Sequence, residues 1–451
     1  MWIPARSRAA VAVLVVLTAT PLSRDEARAQ RPANPAPLVL QGRIIDGRGG
    51  SPIERGVVVI TGERIECAGA KGACALPDGA TVLDAEAGTI LPGLIDLHTH
   101  VWSPAMLAMF LPAGVTAIRD LHNTFENLAR LEAAPAPRPH VFKAGPLIDG
   151  RARWPGSIVV ESAEAATAAV DSVVRRGTHV VKLYNGLTPD AFRAAAEAAV
   201  ARGMPITADL LSSTVDALQA MAWGVRGFEH AAGFRLAYLR MGGDTMTAIP
   251  DAAILDSLVS AIIAHGAYVV PTLIVQHQFA SETEPSLAGV PLADRIDPMT
   301  RAFWAGRQAT PAEARRRFGE HERFSAALVA RLVARGGRVG AGSDLPNPYV
   351  TPGGALHQEL ALLVEAGLSP LQAIRAATAE AAGILGRDDL GVIEAGRRAD
   401  LVIVAGNPAT DIGDTRGIRV VVRDGVAYTL DRLLELAPPV QPREDGGAVD
   451  R

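Results

Sequence analysis

Apolar residues are distributed along this chain in three successive textures. Over residues 38–45, 57–60 and 64–68 they alternate with polar ones or form short runs between turns containing Gly, Pro and Asp, a pattern that predicts β-strands. Beyond Leu91 the strand-like runs (115–119, 140–144, 179–184, 206–209, 227–230, 268–273 and 338–344) are separated by Ala-rich stretches with helical spacing, such as 189–202 and 325–335. Strand alternating with helix predicts a parallel sheet, and these seven runs with the apolar strand that ends at His98-Thr99-His100 make eight units, which predict a closed barrel. Past Ile384 the β texture returns at 391–393, 400–404 and 420–423. The expected fold is therefore α/β, a (β/α)8 TIM-type barrel over 94–386. A small β-sandwich domain formed from both chain ends (30–93 and 387–430) flanks it, and 431–451 reads as a flexible tail. No repeat of solenoid period is present.

Composition changes this picture in three places. First, residues 1–29 read as a signal peptide: Arg6 and Arg8 precede an apolar stretch over 9–22, and Ala27-Arg28-Ala29 supplies a cleavage site. The apolar run is shorter than the roughly 20 residues needed to span a bilayer. The expected location is periplasmic or secreted, with no membrane attachment after cleavage. Second, a net charge of −4 argues against a nucleic-acid surface or a polybasic membrane patch. Homo-oligomerisation stays open. Third, the two cysteines, Cys67 and Cys74, flank a short Gly-containing loop. They are compatible with a bridge in an oxidising compartment or with two unpaired thiols.

The sharpest local motif is the run LPGLIDLHTH, ending in His98-Thr99-His100. The two-residue period of a strand points both imidazoles to one face, and at the C-terminal end of a barrel strand that face opens into the active-site mouth. Two neutral imidazoles held in this way suit zinc or a similar divalent ion. Lys182 stands in the apolar run Val180-Val181-Lys182-Leu183 of a chain with only three lysines among 44 basic residues. Burying an ammonium is costly. A primary amine can instead take up CO2 as a carbamate, an anionic ligand able to bridge two metals; the alternative is a lysine that snorkels from a strand end. His230 and Asp344 also end predicted strands, and an aspartate there can ligate a metal and take a proton from its bound water. Taken singly, each could be a buried histidine or a helix N-cap.

The stretches LPGLIDLHTH, GVTAIRD, VVKLYNGL, GFEHA, GAGSD and AGRRADLVIVAGNP together resemble the amidohydrolase superfamily, in its imidazolonepropionase-like and prolidase-like branch. The resemblance implies two divalent ions, zinc first among them. His98, His100 and Asp344 would hold one ion and His230 the other, with a carbamate on Lys182 bridging the pair. It also implies a hydroxide activated by the metals, with Asp344 moving the proton, so Asp344 and Lys182 are the expected catalytic residues. The expected reaction is hydrolysis of an amide-type C–N bond in a small molecule of dipeptide or N-acyl amino acid type. A lactone or cyclic amide hydrolase, a mononuclear deaminase and a non-catalytic binding protein are the alternatives. Among the remaining polar residues, Tyr184, His122, His277 and His357 fall near or after strand ends and are candidates to touch substrate. Tyr184 leads them because it shares a strand face with Lys182.

The chain departs from the family pattern at the fifth barrel strand, where Asp209 stands in place of a histidine. An aspartate oxygen can ligate zinc; if Asp209 does not bind, a single ion remains. As a ligand it makes the centre less positive than a histidine would, which lowers the acidity of bound water. The pH–activity profile of Asp209→His is therefore expected to move to the acid side of the wild-type profile. An unshifted profile would remove this argument.

Overall fold

This computed structural model describes residues 36–244, 250–281, 295–305 and 310–437; the expected signal peptide and the end of the expected tail lie outside them. Four strands open the chain, β1 (Leu38–Ile44), β2 (Ile53–Thr61), β3 (Arg64–Ala70) and β4 (Thr81–Pro92). Ten short strands follow, β5 (Leu94–Thr99), β6 (Val115–Asp120), β7 (His140–Lys143), β8 (Ile148–Asp149), β9 (Ile158–Val159), β10 (Val181–Leu183), β11 (Ile206–Asp209), β12 (Gly227–Glu229), β13 (Tyr268–Val270) and β14 (Arg338–Val339). The last three are β15 (Leu401–Val404), β16 (Ile418–Arg423) and β17 (Val426–Thr429).

The chain ends share one seven-stranded mixed sheet, ordered β17-β16-β15-β4-β1-β2-β3. Alternation sorts its buried residues into two clusters. Leu38, Leu40, Val58 and Ile60 pack with Leu401, Ile403 and Val422, while Val39, Val57 and Val59 pack around Cys74. Cys67 and Cys74 are disulfide-bonded, so the bridge is the form present. The expected strand at 391–393 is absent. Gly391, at φ +73°, turns the chain there, and only Ile393 donates a backbone bond, to Asp46. Residues 431–436, expected to begin the tail, belong to the helix Leu430–Leu436 on the N-cap Thr429.

Between these ends every strand pairing is parallel, in the orders β5-β6-β7 and β14-β13-β12-β11-β10-β8-β9. Backbone bonds join the two parallel sheets at both edges. Leu97 donates to Ala341 and Asp344 to His98 at one edge, and His179 donates to Lys143 at the other. The helix Pro189–Ala201 shows how sequence builds the outer layer. Thr188 caps it, Pro189 starts it, and Phe192, Ala195, Ala196 and Ala199 form its buried stripe. Close approach explains the glycines of GAGSD: a Cβ on Gly342 would lie 2.8 Å from the His98 Cβ. Any larger residue there would push β5, and His98 with it, out of place.

Residues 277–324 are largely helical where they are described. Leu273–Ala280, Pro298–Ala305 and Ala312–Ala334 cover them, the last beginning well before the expected start at 325.

Candidate metal centre and its cavity

Six of the residues singled out in the sequence converge at the C-terminal ends of the parallel strands. His98 and His100 come from β5 and the residue after it, Lys182 from β10 and Asp209 from β11. His230 and Asp344 follow β12 and β14. The Nε2 atoms of His98 and His100 lie 3.3 and 3.2 Å from Asp344 Oδ1. His230 Nε2 lies 3.3 Å from Asp209 Oδ2 and 3.8 Å from Asp344 Oδ2, and Lys182 Nζ lies 3.3 Å from His98 Nε2. Ligand atoms of His98, His230 and Asp344 fall within 4.8 Å of one another, close enough to share an ion.

The surroundings fix which nitrogen of each ring faces inward. Glu229 Oε2 lies 2.8 Å from His98 Nδ1, so that nitrogen carries the proton and Nε2 presents its lone pair to the centre. Thr272 likewise holds the Nδ1 proton of His230, so that Nε2 faces the carboxylates of Asp209 and Asp344. The Thr272 hydroxyl donates to the Pro271 carbonyl, leaving the oxygen to accept from His230 Nδ1 at 2.5 Å. Glu229 is itself held by Arg119 Nη2 at 2.7 Å and by the Thr207 hydroxyl, and Arg119 also reaches Tyr268 Oη and the Leu97 carbonyl. Asp96 ties β5 to the Asp344 loop by accepting from Ser343 N and Oγ, while burial pushes its carboxyl up to about 7.

Burial, and then the charge of Lys182, hold His98 well below the ordinary imidazole range, so it is neutral. Burial would also lower His230, but the carboxylates of Asp209 and Asp344 outweigh it and raise the group to about 9. Burial alone would raise Asp209, yet His230 and Lys182 hold its carboxyl below the usual carboxylate range. Asp209 is thus the charge partner of His230, in the place where the sequence lacks a histidine.

His230 and Asp344 have φ of +62° and +55°, in the left-handed region. Such backbone costs about 1–3 kcal/mol per residue and persists only where the surroundings over-determine it. His321 Nε2 clamps the His230 carbonyl at 2.6 Å, and Asn347 Nδ2 binds both the carbonyl and Oδ2 of Asp344.

A cavity of about 270 Å3 opens onto the centre. Tyr184 and His122 line it. The Tyr184 hydroxyl accepts from Trp154 Nε1 at 3.1 Å, and burial raises its pKa above the ordinary phenol value. His122 is occupied on both nitrogens, with Nε2 against the Pro155 carbonyl and Nδ1 accepting from Leu147 N. His277 and His357 lie elsewhere. His277 is half exposed and paired with Glu322, because its helix turns it away from the mouth. His357 is buried between Thr415 and the Ala113 carbonyl, a structural histidine. Sequence reading missed Glu229, Arg119, Thr207 and Thr272. A charged residue inside the short apolar strands GFE and VTAIRD was the available signal for the first two.

The model of the amidohydrolase family matches residues 89–428. A Xaa-Pro dipeptidase structure with bound methionine superposes with a TM-score of 0.66 at 20% identity, covering 87% of this chain and 100% of that one. A bottromycin amidohydrolase gives 0.67 at 25% identity, covering 90% of each chain. The A. niger ochratoxinase gives 0.66 at 18% identity over 87% of this chain and 96% of that one. Among curated proteins, adenine deaminase 2 of Agrobacterium fabrum strain C58 is 57% identical over 51 residues, 11% of this chain. Adenine deaminase 2 of Rhizobium johnstonii is 38% identical over 94 residues, 20% of this chain. These matches span 8% and 15% of the relatives' own lengths. The family match covers about three quarters of the sequence and runs through every residue of the histidine, lysine and aspartate cluster: the chain belongs to the amidohydrolase family of metal-dependent hydrolases.

Proposed function

We propose that this chain is an exported enzyme with two divalent ions, zinc first among candidates, that hydrolyses an amide-type C–N bond in a small molecule. The observation that carries the reading is the convergence of three imidazoles, two carboxylates and one buried lysine, with the His98 and His230 tautomers fixed from behind. Dipeptides and N-acyl amino acids, the class expected from the sequence, are the reference substrates. The backbone bonds joining the two parallel sheets favour a closed (β/α)8 barrel, and the two clusters of the terminal sheet favour a sandwich-like small domain. Export accords with the Cys67–Cys74 bridge, since such bonds persist in oxidising compartments.

The donors fit hard-to-borderline divalent ions: imidazole nitrogens and carboxylate oxygens gathered in a largely buried site. His98, His100 and Asp344 would hold one ion, and His230 with Asp209 the other. Bound ions would polarise the substrate carbonyl and make water acidic enough to attack it. Lys182, buried among these donors, is placed to act between them as a carbamate: its nitrogen bonds to the carbon of CO2 and releases a proton. Asp344 lines the cavity and Asn347 orients its Oδ2, so the carboxylate can take a proton from water and pass it to the departing amine nitrogen. Glu229 and Thr272 keep the imidazoles in the ligating tautomer throughout.

Lys182→Ala is expected to lower kcat/KM for amide hydrolysis by at least about a hundredfold and to reduce bound metal. Retention of both metal and turnover would favour a mononuclear enzyme instead. Glu229→Gln keeps the shape but removes the charge behind His98, and is expected to weaken metal affinity by about 10–100-fold in a competition titration against a chromophoric chelator. Unchanged affinity would remove Glu229 from the account of the centre.

A further inference from the structure

The cavity walls bear on which amide fits. Six aromatic rings line it: Trp102, Trp154, Tyr184, Phe279, Phe303 and Phe318. On one side, the loops after β8, β10 and β11 carry Trp154, Tyr184 and Leu211 and are tied together by polar bonds. Asp149 Oδ1 accepts from Gly150 N and Gly186 N, Asn185 Oδ1 accepts from Ser212 N, and Arg153 Nη1 donates to Ser212 Oγ. Across the mouth, Phe279 stacks on Phe318 at 4.7 Å, and Trp102 meets Phe303 edge-on at 5.2 Å. Trp154 remains 44% exposed although its indole nitrogen is anchored on Tyr184. A large ring held rigid and left in water is stabilised when an apolar partner covers it.

The polar lining says what that partner lacks. Among the described lining residues there is no arginine, and the only lysine, Lys182, lies within the metal centre. His122 has both nitrogens committed to backbone groups, so neither is free to pair with a substrate anion. A carboxylate carried by the outer part of the substrate would find no cationic side chain to pair with among these lining residues. Burying it there unpaired is costly.

We propose that the outer cavity is a binding site for an uncharged aromatic group, so that the preferred substrate is a neutral aryl amide rather than a free-acid dipeptide or N-acyl amino acid. This specificity rests on the amide-hydrolase reading above. In the reaction the carbonyl C–N bond breaks and the oxygen of water bonds to the carbonyl carbon. The carboxylic acid and the arylamine depart, with one water proton passing to the amine nitrogen.

The test compares two probes differing only in charge, 2-acetamidonaphthalene and 6-acetamido-2-naphthoate, on the zinc-loaded mature protein. The neutral probe is expected to show a kcat/KM at least about tenfold higher. Trp154→Ala should raise its KM several-fold with little change in kcat or metal content, and Trp154→Phe should restore it. Equal or faster turnover of the naphthoate overturns the specificity while leaving amide hydrolysis standing. If neither probe is cleaved, turnover of a dipeptide or an N-acyl amino acid decides the amide-hydrolase reading, and titration calorimetry with the same pair of probes decides the binding site. Tighter binding of the neutral probe, lost in Trp154→Ala, upholds it; equal or tighter binding of the naphthoate, or no Trp154-dependent binding, overturns it.

Discussion

The centre depends on one buried charge. Glu229, fully enclosed in β12, meets Arg119 from β6, Thr207 from β11 and His98 from β5, so a single carboxylate links four strands. An ion in this position is tolerated only because every oxygen is paired, and removing one partner from such a set typically costs about 3–5 kcal/mol. The same contacts that neutralise Glu229 also orient His98. Stability of the strand interior and ligand geometry are therefore one constraint, and neither can be altered alone.

From this fixed base the strand ends reach outward under strain. His230 and Asp344 leave their strands in the left-handed region, each held by bonds from a later segment: His321 in the helix Ala312–Ala334, and Asn347 in the turn after Asp344. Gly342 lets that turn lie against β5. The rigid interior is supplied by parallel strands, while the aromatic cavity wall is supplied by the loops and helices beyond them. Chemistry and specificity can then be set by different residues.

Much of the centre was legible in the sequence because its residues break local rules. A lysine in an apolar strand, a histidine pair at a strand end and an aspartate after a Gly-rich run each stand out against their surroundings. The alternation of texture likewise gave the parallel strands and the sheet shared by both chain ends. What stayed hidden has physical reasons. β8 and β9 are two residues each, too short for any period to show, and β14 ends early because residues 341–345 pair with β5 instead. His277 and His357 could not be told from substrate contacts by position, since helix rotation and long-range partners such as Glu322 and Thr415 decide where they point. The support of Glu229 by Arg119 joins residues more than a hundred positions apart, which no local pattern reports.

The central claim is that Asp209 completes a two-ion centre in the absence of the usual histidine. Metal content per chain, by elemental analysis of the purified mature protein, tests it most directly. The account predicts close to two divalent ions per chain. A value near one would mean that the Asp209 and His230 side does not hold an ion, and a protein that remains metal-free after attempted loading would contradict the metal centre altogether.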